Sequence, residues 1–294
     1  MLPSIRLIAL DLDGTLLDSD KRLPPANYNA LARAHRAGAL IVPATGRYFA
    51  AMPEVIRALS FLRYAITING ARVSNADDSE VLYRADLPLA QSLEIMRWLD
   101  TMPVIYDCYM DNTGWMTESM QRRAAEFSPD RHYLKMLREL RTPVPELKDF
   151  IAQRGHDIQK IQFFTNDLEL RAEVLRSCAE RFPGTVASAS CPNNVEINHI
   201  AATKGDALLG LCRALDIDPS QTMAFGDGLN DIAMLRTAGV GVAMGNASDT
   251  VKAAADLVTD SCDDAGVAAA VERFFPPDEQ DNDQSMRKQM EVRP

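Results

Sequence analysis

The sequence predicts an α/β protein, a parallel sheet with helices on both faces, interrupted by an inserted α+β module. Three observations carry this. Five short runs, at residues 7–10, 40–43, 65–68, 223–225 and 240–244, are mostly apolar at successive positions rather than alternating. Strands covered on both faces read this way, because neither face meets water. Helical patterns at 25–37, 48–59 and 229–238 follow the first, second and fourth runs, the order that builds parallel strands with crossover helices. The third observation is the stretch 84–191, which separates three strands from the other two. It has its own mixture of helical patterns at 87–101 and 168–182 and strand patterns at 104–109, 159–164 and 185–188. The expected division is therefore a discontinuous core of residues 1–83 and 192–275 and an inserted domain of residues 84–191. Residues 276–294 are polar and charged without an apolar period, so a disordered tail is expected there.

Composition narrows the class. With 294 residues, 47% hydrophobic and 24% charged, the chain has ordinary globular usage and enough length to bury a sizeable core. Its 31 basic and 41 acidic residues give a net charge of −10. No basic run interleaved with aromatics overrides that charge, so neither nucleic acid nor an anionic membrane is expected as a partner. An acidic protein that handles anions must gather positive charge locally, and a metal ion does so. The five cysteines are scattered without a CxxC pair, which fits free thiols in a reducing compartment. No stretch approaches the roughly 20 apolar residues of a membrane span, and a cytoplasmic protein is expected. Oligomeric state leaves no trace in the sequence.

Chemistry gathers where strands end. Asp11, Thr45, Asn69 and Asp227 each fall within two residues of the end of a buried run, and ligands of open parallel sheets bind beyond those carboxyl ends. In DLDGTLL, from Asp11 to Leu17, two carboxylates one residue apart follow a hydrophobic strand. Like charges ~4 Å apart repel by ~4 kcal/mol at an effective dielectric of ~20. A hard cation such as Mg²⁺, which prefers oxygen ligands, would relieve this. Plain turn-capping is the competing use. A calcium loop is excluded, because its sixth position must be glycine and is Leu16 here.

In ATGR, Thr45, Gly46 and Arg47 open the next helical pattern, where free N–H groups favour a phosphoryl oxygen; Thr45 could equally be a simple N-cap. Lys204 lies in the first turn of an apolar helix that Thr203 and Asp206 would cap, although a lysine there opposes the helix dipole. GDGLND adds Asp227, Asn230 and Asp231 at the same sheet edge. GVGVAMG, from Gly239, has the wrong glycine spacing for a nucleotide loop and is read as structural. The four histidines have no ligand spacing, and the sequon at residues 246–248 is read as irrelevant in the cytosol.

With four blocks in order, DLDGT at Asp11, TGR at Thr45, Lys204 and GDGLND at Gly226, and with ITINGA at Ile66 besides, the chain resembles the haloacid dehalogenase (HAD) superfamily. The closest pattern is that of its Cof-type phosphatases, with a Rossmann-like core and a large cap between the second and third motifs. The resemblance covers the chain to about Phe275. It implies that Asp11 is a nucleophile forming an aspartyl-phosphate and that Asp13 protonates the leaving oxygen, then activates water. It further implies Mg²⁺ on Asp11, Asp227 and the backbone carbonyl of Asp13. The phosphoryl group would be held by the Leu12 amide, Thr45, Gly46, Lys204 and Asn230. Asp231 would support Lys204 or the metal's water shell, with Arg47 and Asn69 in support.

The resemblance also makes the insert a mobile cap over a small phosphorylated metabolite such as a sugar phosphate, flavin precursor or pyridoxal phosphate. Tyr106, Tyr109, Trp115 and Phe163 are candidate contacts there, with packing the commoner use of such residues. A phosphomutase or phosphotransferase would use the same residues, and a non-catalytic metabolite-binding module is the rival outside enzymology. A dehalogenase fits less well, because with no leaving oxygen to protonate it could dispense with Asp13.

Overall fold

The computed structural model describes residues 4–127 and 131–277; the expected tail lies outside the described residues from 278 onward. The core strands are β1 (Leu7–Leu10), β2 (Leu40–Pro43), β3 (Tyr64–Thr67), β4 (Arg72–Asn75) and β5 (Val81–Arg84). The inserted strands follow as β6 (Ile105–Met110), β7 (Thr113–Thr117), β8 (Thr142–Val144), β9 (Lys160–Phe164), β10 (Thr185–Ser188) and β11 (Asn194–His199). The chain then returns to the core with β12 (Thr222–Gly226), β13 (Val240–Ala243) and β14 (Leu257–Val258).

The central sheet runs β14-β13-β12-β1-β2, with every pairing parallel. All four residues of β1 are fully buried, as the unbroken apolar run requires. Beyond β2 the layer continues into β3 through parallel bridges Ile41–Leu62 and Ala44–Ile66. β3 then pairs antiparallel with β4, and β4 with β5, a hairpin absent from the sequence reading. The helix Pro25–Arg36 begins with proline at its first turn, where no N–H is needed, and buries Ala30, Leu31 and Ala34.

The expected helix at 48–59 is not continuous. A single 3₁₀ turn, Phe49–Ala51, and a one-turn helix, Glu54–Arg57, stand on either side of Pro53. Proline lacks the N–H a continuing helix needs and forces the preceding residue into extended backbone; Met52 has ψ 144°.

The insert is a six-stranded sheet in the order β10-β11-β9-β6-β7-β8, antiparallel except for β7 with β8. The helices Leu89–Leu99, Leu147–Arg154 and Leu168–Arg181 pack on one face against Tyr106, Cys108, Ile161, Phe163, Val195 and Ile197. Because strand side chains alternate, the opposite face carries Asp107, Tyr109, Lys160, Gln162, Glu196 and Asn198, all buried. The expected return to the core at residue 192 therefore moves past His199, since β11 pairs with β9 and β10. Tyr106 and Phe163 belong to the packed face and Trp115 stacks 4.5 Å from Phe150, so of the four aromatic candidates Tyr109 faces the core. All five cysteines are buried and free of disulfides. Among the described residues no helix is long and apolar enough to cross a membrane.

Candidate active site

β1 delivers Asp11: its N–H still bonds to Phe225 O of β12 at 3.0 Å, so the strand pairing extends to the carboxylate. The chain then reverses, with Leu16 N–H on Asp11 O and Leu17 N–H on Leu12 O, and the Leu12, Leu16 and Leu17 side chains drop into the core. Gly14 makes the reversal at φ +88°. A Cβ there would lie 2.6 Å from Asp227 Oδ2, so both the turn and the close approach require glycine. Thr15 Oγ1 donates to Asp227 Oδ1 at 2.8 Å, tying the first motif to the end of β12.

Lys204 opens the helix Lys204–Leu215, whose N-cap Thr203 accepts from Asp206 N–H at 3.0 Å, as expected. Its side chain is fully buried, and Nζ donates to both Asp11 Oδ1 and Asp231 Oδ1 at 2.5 Å. Two carboxylates thus answer for a cation placed against the helix dipole. The other oxygen of Asp231 accepts from Asp227 N–H at 3.0 Å and Gly228 N–H at 2.8 Å, which folds the GDGLND turn around it.

Burial drives the Asp11 carboxyl above its ordinary range; Lys204 pulls it back, while Asp231 and Asp227 push the same way as burial. Asp227 is raised for the same leading reason. For Lys204 burial favours the neutral amine, but Asp11 and Asp231 outweigh it and raise the ammonium's pKa.

The donor chemistry fits a hard divalent cation. Asp11, Asp227 and Asp231 offer oxygens within 4.8 Å of one another. Both Asp231 oxygens are already engaged, so the oxygens with capacity to spare are Asp11 Oδ2 and Asp227 Oδ2. Among the described residues the former has no hydrogen bond, and the latter only a long one of 3.4 Å from Asn246 Nδ2. Crowded carboxylates served by one lysine, two of them, Asp11 and Asp227, with raised pKa values, are the electrostatic setting a cation relieves.

Asp13 is held elsewhere. Arg47 grips it with two nitrogens at 3.0 and 3.1 Å, and Lys21 Nζ lies at 3.1 Å. Burial pushes its carboxyl up, but Arg47 and then Lys21 outweigh burial and hold it below its ordinary value.

Thr45 is not a helix N-cap, since Tyr48 occupies that position of the first 3₁₀ turn; instead Thr45 Oγ1 accepts from Arg47 N–H at 3.2 Å within a turn. Asn69 packs against Gly46, donates its N–H to Thr45 O, and has φ +59°, a left-handed conformation that asparagine tolerates. Its Oδ1 accepts from Asn230 Nδ2 at 3.3 Å.

These groups meet at one cavity of about 610 Å³ between the core and the insert. Asp11, Asp13, Thr45, Gly46, Arg47, Asn69, Asp227, Asn230 and Asp231 line it; Lys204 stands behind Asp11 and Asp231, and Leu12 lies in the turn below. The insert closes the cavity with Tyr109, Lys160, Gln162, Ser190, Asn194 and Glu196. Several neighbours were not read from the sequence. Asn246, set aside there as part of a sequon, donates to Gly14 O at 2.9 Å and reaches Asp227. Lys21 escaped notice among acidic residues. Lys160 and Glu196 carried a usable signal, a charge inside an otherwise strand-like segment.

The family profile of the haloacid dehalogenase-like hydrolases matches residues 8–271. The chain is 30% identical over 278 residues to 5-amino-6-(5-phospho-D-ribitylamino)uracil phosphatase of Bacillus subtilis (strain 168), covering 92% of this chain and 96% of the relative. It is 32% identical over 263 residues to pyridoxal phosphate phosphatase of Escherichia coli (strain K12), covering 86% and 92%. A solved HAD phosphatase from Bacteroides thetaiotaomicron superposes with a TM-score of 0.77 at 27% identity, over 92% of this chain and 95% of that one. The chain belongs to the haloacid dehalogenase-like hydrolases, in the Cof-type phosphatase group, and is an enzyme that hydrolyses phosphate monoesters.

Proposed function

We propose that the protein is a Mg²⁺-dependent phosphatase of a small phosphorylated metabolite, working through an aspartyl-phosphate on Asp11. The observation that supports this most is the convergence of Asp11, Lys204 and the Asp227–Asp231 turn, from three separated segments, beneath one cavity, with Asp13 on its wall. Asp11 and Asp227, with the backbone carbonyl of Asp13, would hold the ion. When bound, Mg²⁺ supplies charge neutralisation and Lewis acidity at the phosphoryl oxygens.

An Asp11 carboxylate oxygen attacks phosphorus and the bond to the leaving oxygen breaks, with the proton for that oxygen coming from Asp13. In the resting site Arg47 and Lys21 keep Asp13 ionised, and the arriving phosphate, a nearby negative charge, favours its protonated form. After the leaving group departs, ionised Asp13 takes a proton from water as the water attacks phosphorus, and Asp11 is regenerated. Thr45, the amides of Leu12 and Gly46, and Asn230 would orient the phosphoryl group, and Lys204 would keep Asp11 in line. The relatives named above act on a ribitylamino-uracil phosphate and on pyridoxal phosphate, molecules of a size that such a cavity takes.

The test is phosphate release from a panel of monoesters with and without Mg²⁺, alongside Asp11→Asn. Activity is expected to need the ion and to vanish in the variant. Release that survives chelation, or persists in Asp11→Asn, rejects the mechanism.

A further inference from the structure

We propose that Lys160 and Glu196, a buried ion pair on the polar face of the inserted sheet, are positioning residues that hold the phosphoryl-binding groups of the core in place. The inference rests on the phosphatase reading above. The two charges meet at 3.0 Å with side chains 1% and 5% exposed, and each makes a second bond across into the core.

The first arm runs through the TGR turn. Lys160 Nζ donates to Gly46 O at 3.0 Å. That carbonyl belongs to the peptide whose N–H, on Arg47, donates to Thr45 Oγ1. With a lone pair so occupied, the Thr45 hydroxyl keeps its own hydrogen for an acceptor in the cavity. A cation at one end of such a chain polarises each bond along it, so Lys160 both fixes the turn and strengthens the donor at its far end.

The second arm runs through Asn69. Glu196 Oε2 accepts from Asn69 Nδ2 at 2.6 Å, which fixes which way that amide points. Asn69 Oδ1 is then the acceptor for Asn230 Nδ2. One pair thus reaches two separate phosphate contacts, Thr45 with Gly46 and Asn230. Apolar residues would close this interface with no charge to desolvate, but could aim neither bond. Ser190 Oγ, donating to Glu196 Oε1 at 3.0 Å, and the Tyr109 ring, 4.3 Å from Lys160 Nζ, complete the setting.

Inorganic phosphate is the decisive probe, because it has no leaving group and reports the phosphoryl grip alone. Its inhibition constant is measured with Mg²⁺ present for wild type, Lys160→Met, Glu196→Gln, Lys160→Arg and the double variant Lys160→Met/Glu196→Gln. Each neutralising single variant is expected to raise the constant about tenfold, the scale of one charged hydrogen bond. The double variant is expected to lose no more than the worse single, because the two residues act as one network. Lys160→Arg, which keeps a charged donor, recovers part of the loss. The double variant strands no buried charge, and its melting curve reports the fold independently. A folded double variant that binds phosphate within twofold of wild type overturns the proposal. So does a loss confined to bulky monoesters, which would make the pair a reader of the leaving group. A wild-type enzyme inert toward every monoester would instead sink the phosphatase reading.

Discussion

Asp11 and Asp13 lie two residues apart, yet their surroundings move their carboxyls in opposite directions. Burial among other carboxylates raises Asp11, whereas Arg47 and Lys21 overcome burial and lower Asp13. Two titratable groups pushed apart by environment are what separates a nucleophile awaiting a cation from a residue that trades protons. The consequence can be measured at Arg47. Removing its guanidinium takes away the strongest influence favouring ionised Asp13, so in Arg47→Ala the Asp13 carboxyl titrates higher. The alkaline limb of the kcat/KM profile, which an essential general acid sets, is expected to shift to higher pH, with the direction set by the lost cation. Profiles that superimpose after scaling would mean that Asp13 does not govern that limb.

Elements place these residues, and the helix Lys204–Leu215 shows how. Its N-cap Thr203 fixes where the first turn begins, and hence where Lys204 points. Thr203→Ala is expected to cost about 1 kcal/mol in urea unfolding, the usual worth of such a cap, with a smaller loss of activity than Lys204→Ala. An unchanged unfolding midpoint would show that the capping bond contributes nothing. Legibility of the fold also divides by element. β1, β2, β12 and β13 could be read from short apolar runs, since burial on both faces favours apolar side chains at successive positions. The segment 48–59 could not, because its apolar spacing suggested a helix while Pro53 forbids one. β11 was hidden differently: Asn194, Glu196 and Asn198 look like a solvated face, yet they are buried against the core, a tertiary fact that strand periodicity does not contain. The motif residues were legible because their positions at strand ends predict convergence, whereas Lys21 and Asn246 join the site through loop geometry alone.

For the whole molecule, net charge of −10 and a partly buried carboxylate cluster make metal binding a matter of stability as well as chemistry. Asp11 and Asp227 titrate above their ordinary values when folded. Between the ordinary and the raised value, the folded chain therefore holds protons that the unfolded chain has released, and stability of the ion-free protein falls as pH rises through that window. A divalent ion binds the deprotonated form, so protons compete with it at the acid end and not at the alkaline end. Saturating Mg²⁺, at about 100 times its dissociation constant, should add about 2.7 kcal/mol where competition is absent. The rise in melting temperature on adding Mg²⁺ is thus expected to be larger near pH ~8 than near pH ~5.5, and to disappear on chelation. Asp227→Asn, which removes one of the two oxygens with capacity to spare, should abolish most of the rise at either pH. Equal shifts at both pH values would mean that the ion binds away from these carboxyls; no shift at all would mean that Asp11 and Asp227 rely on Lys204 alone for their positive charge.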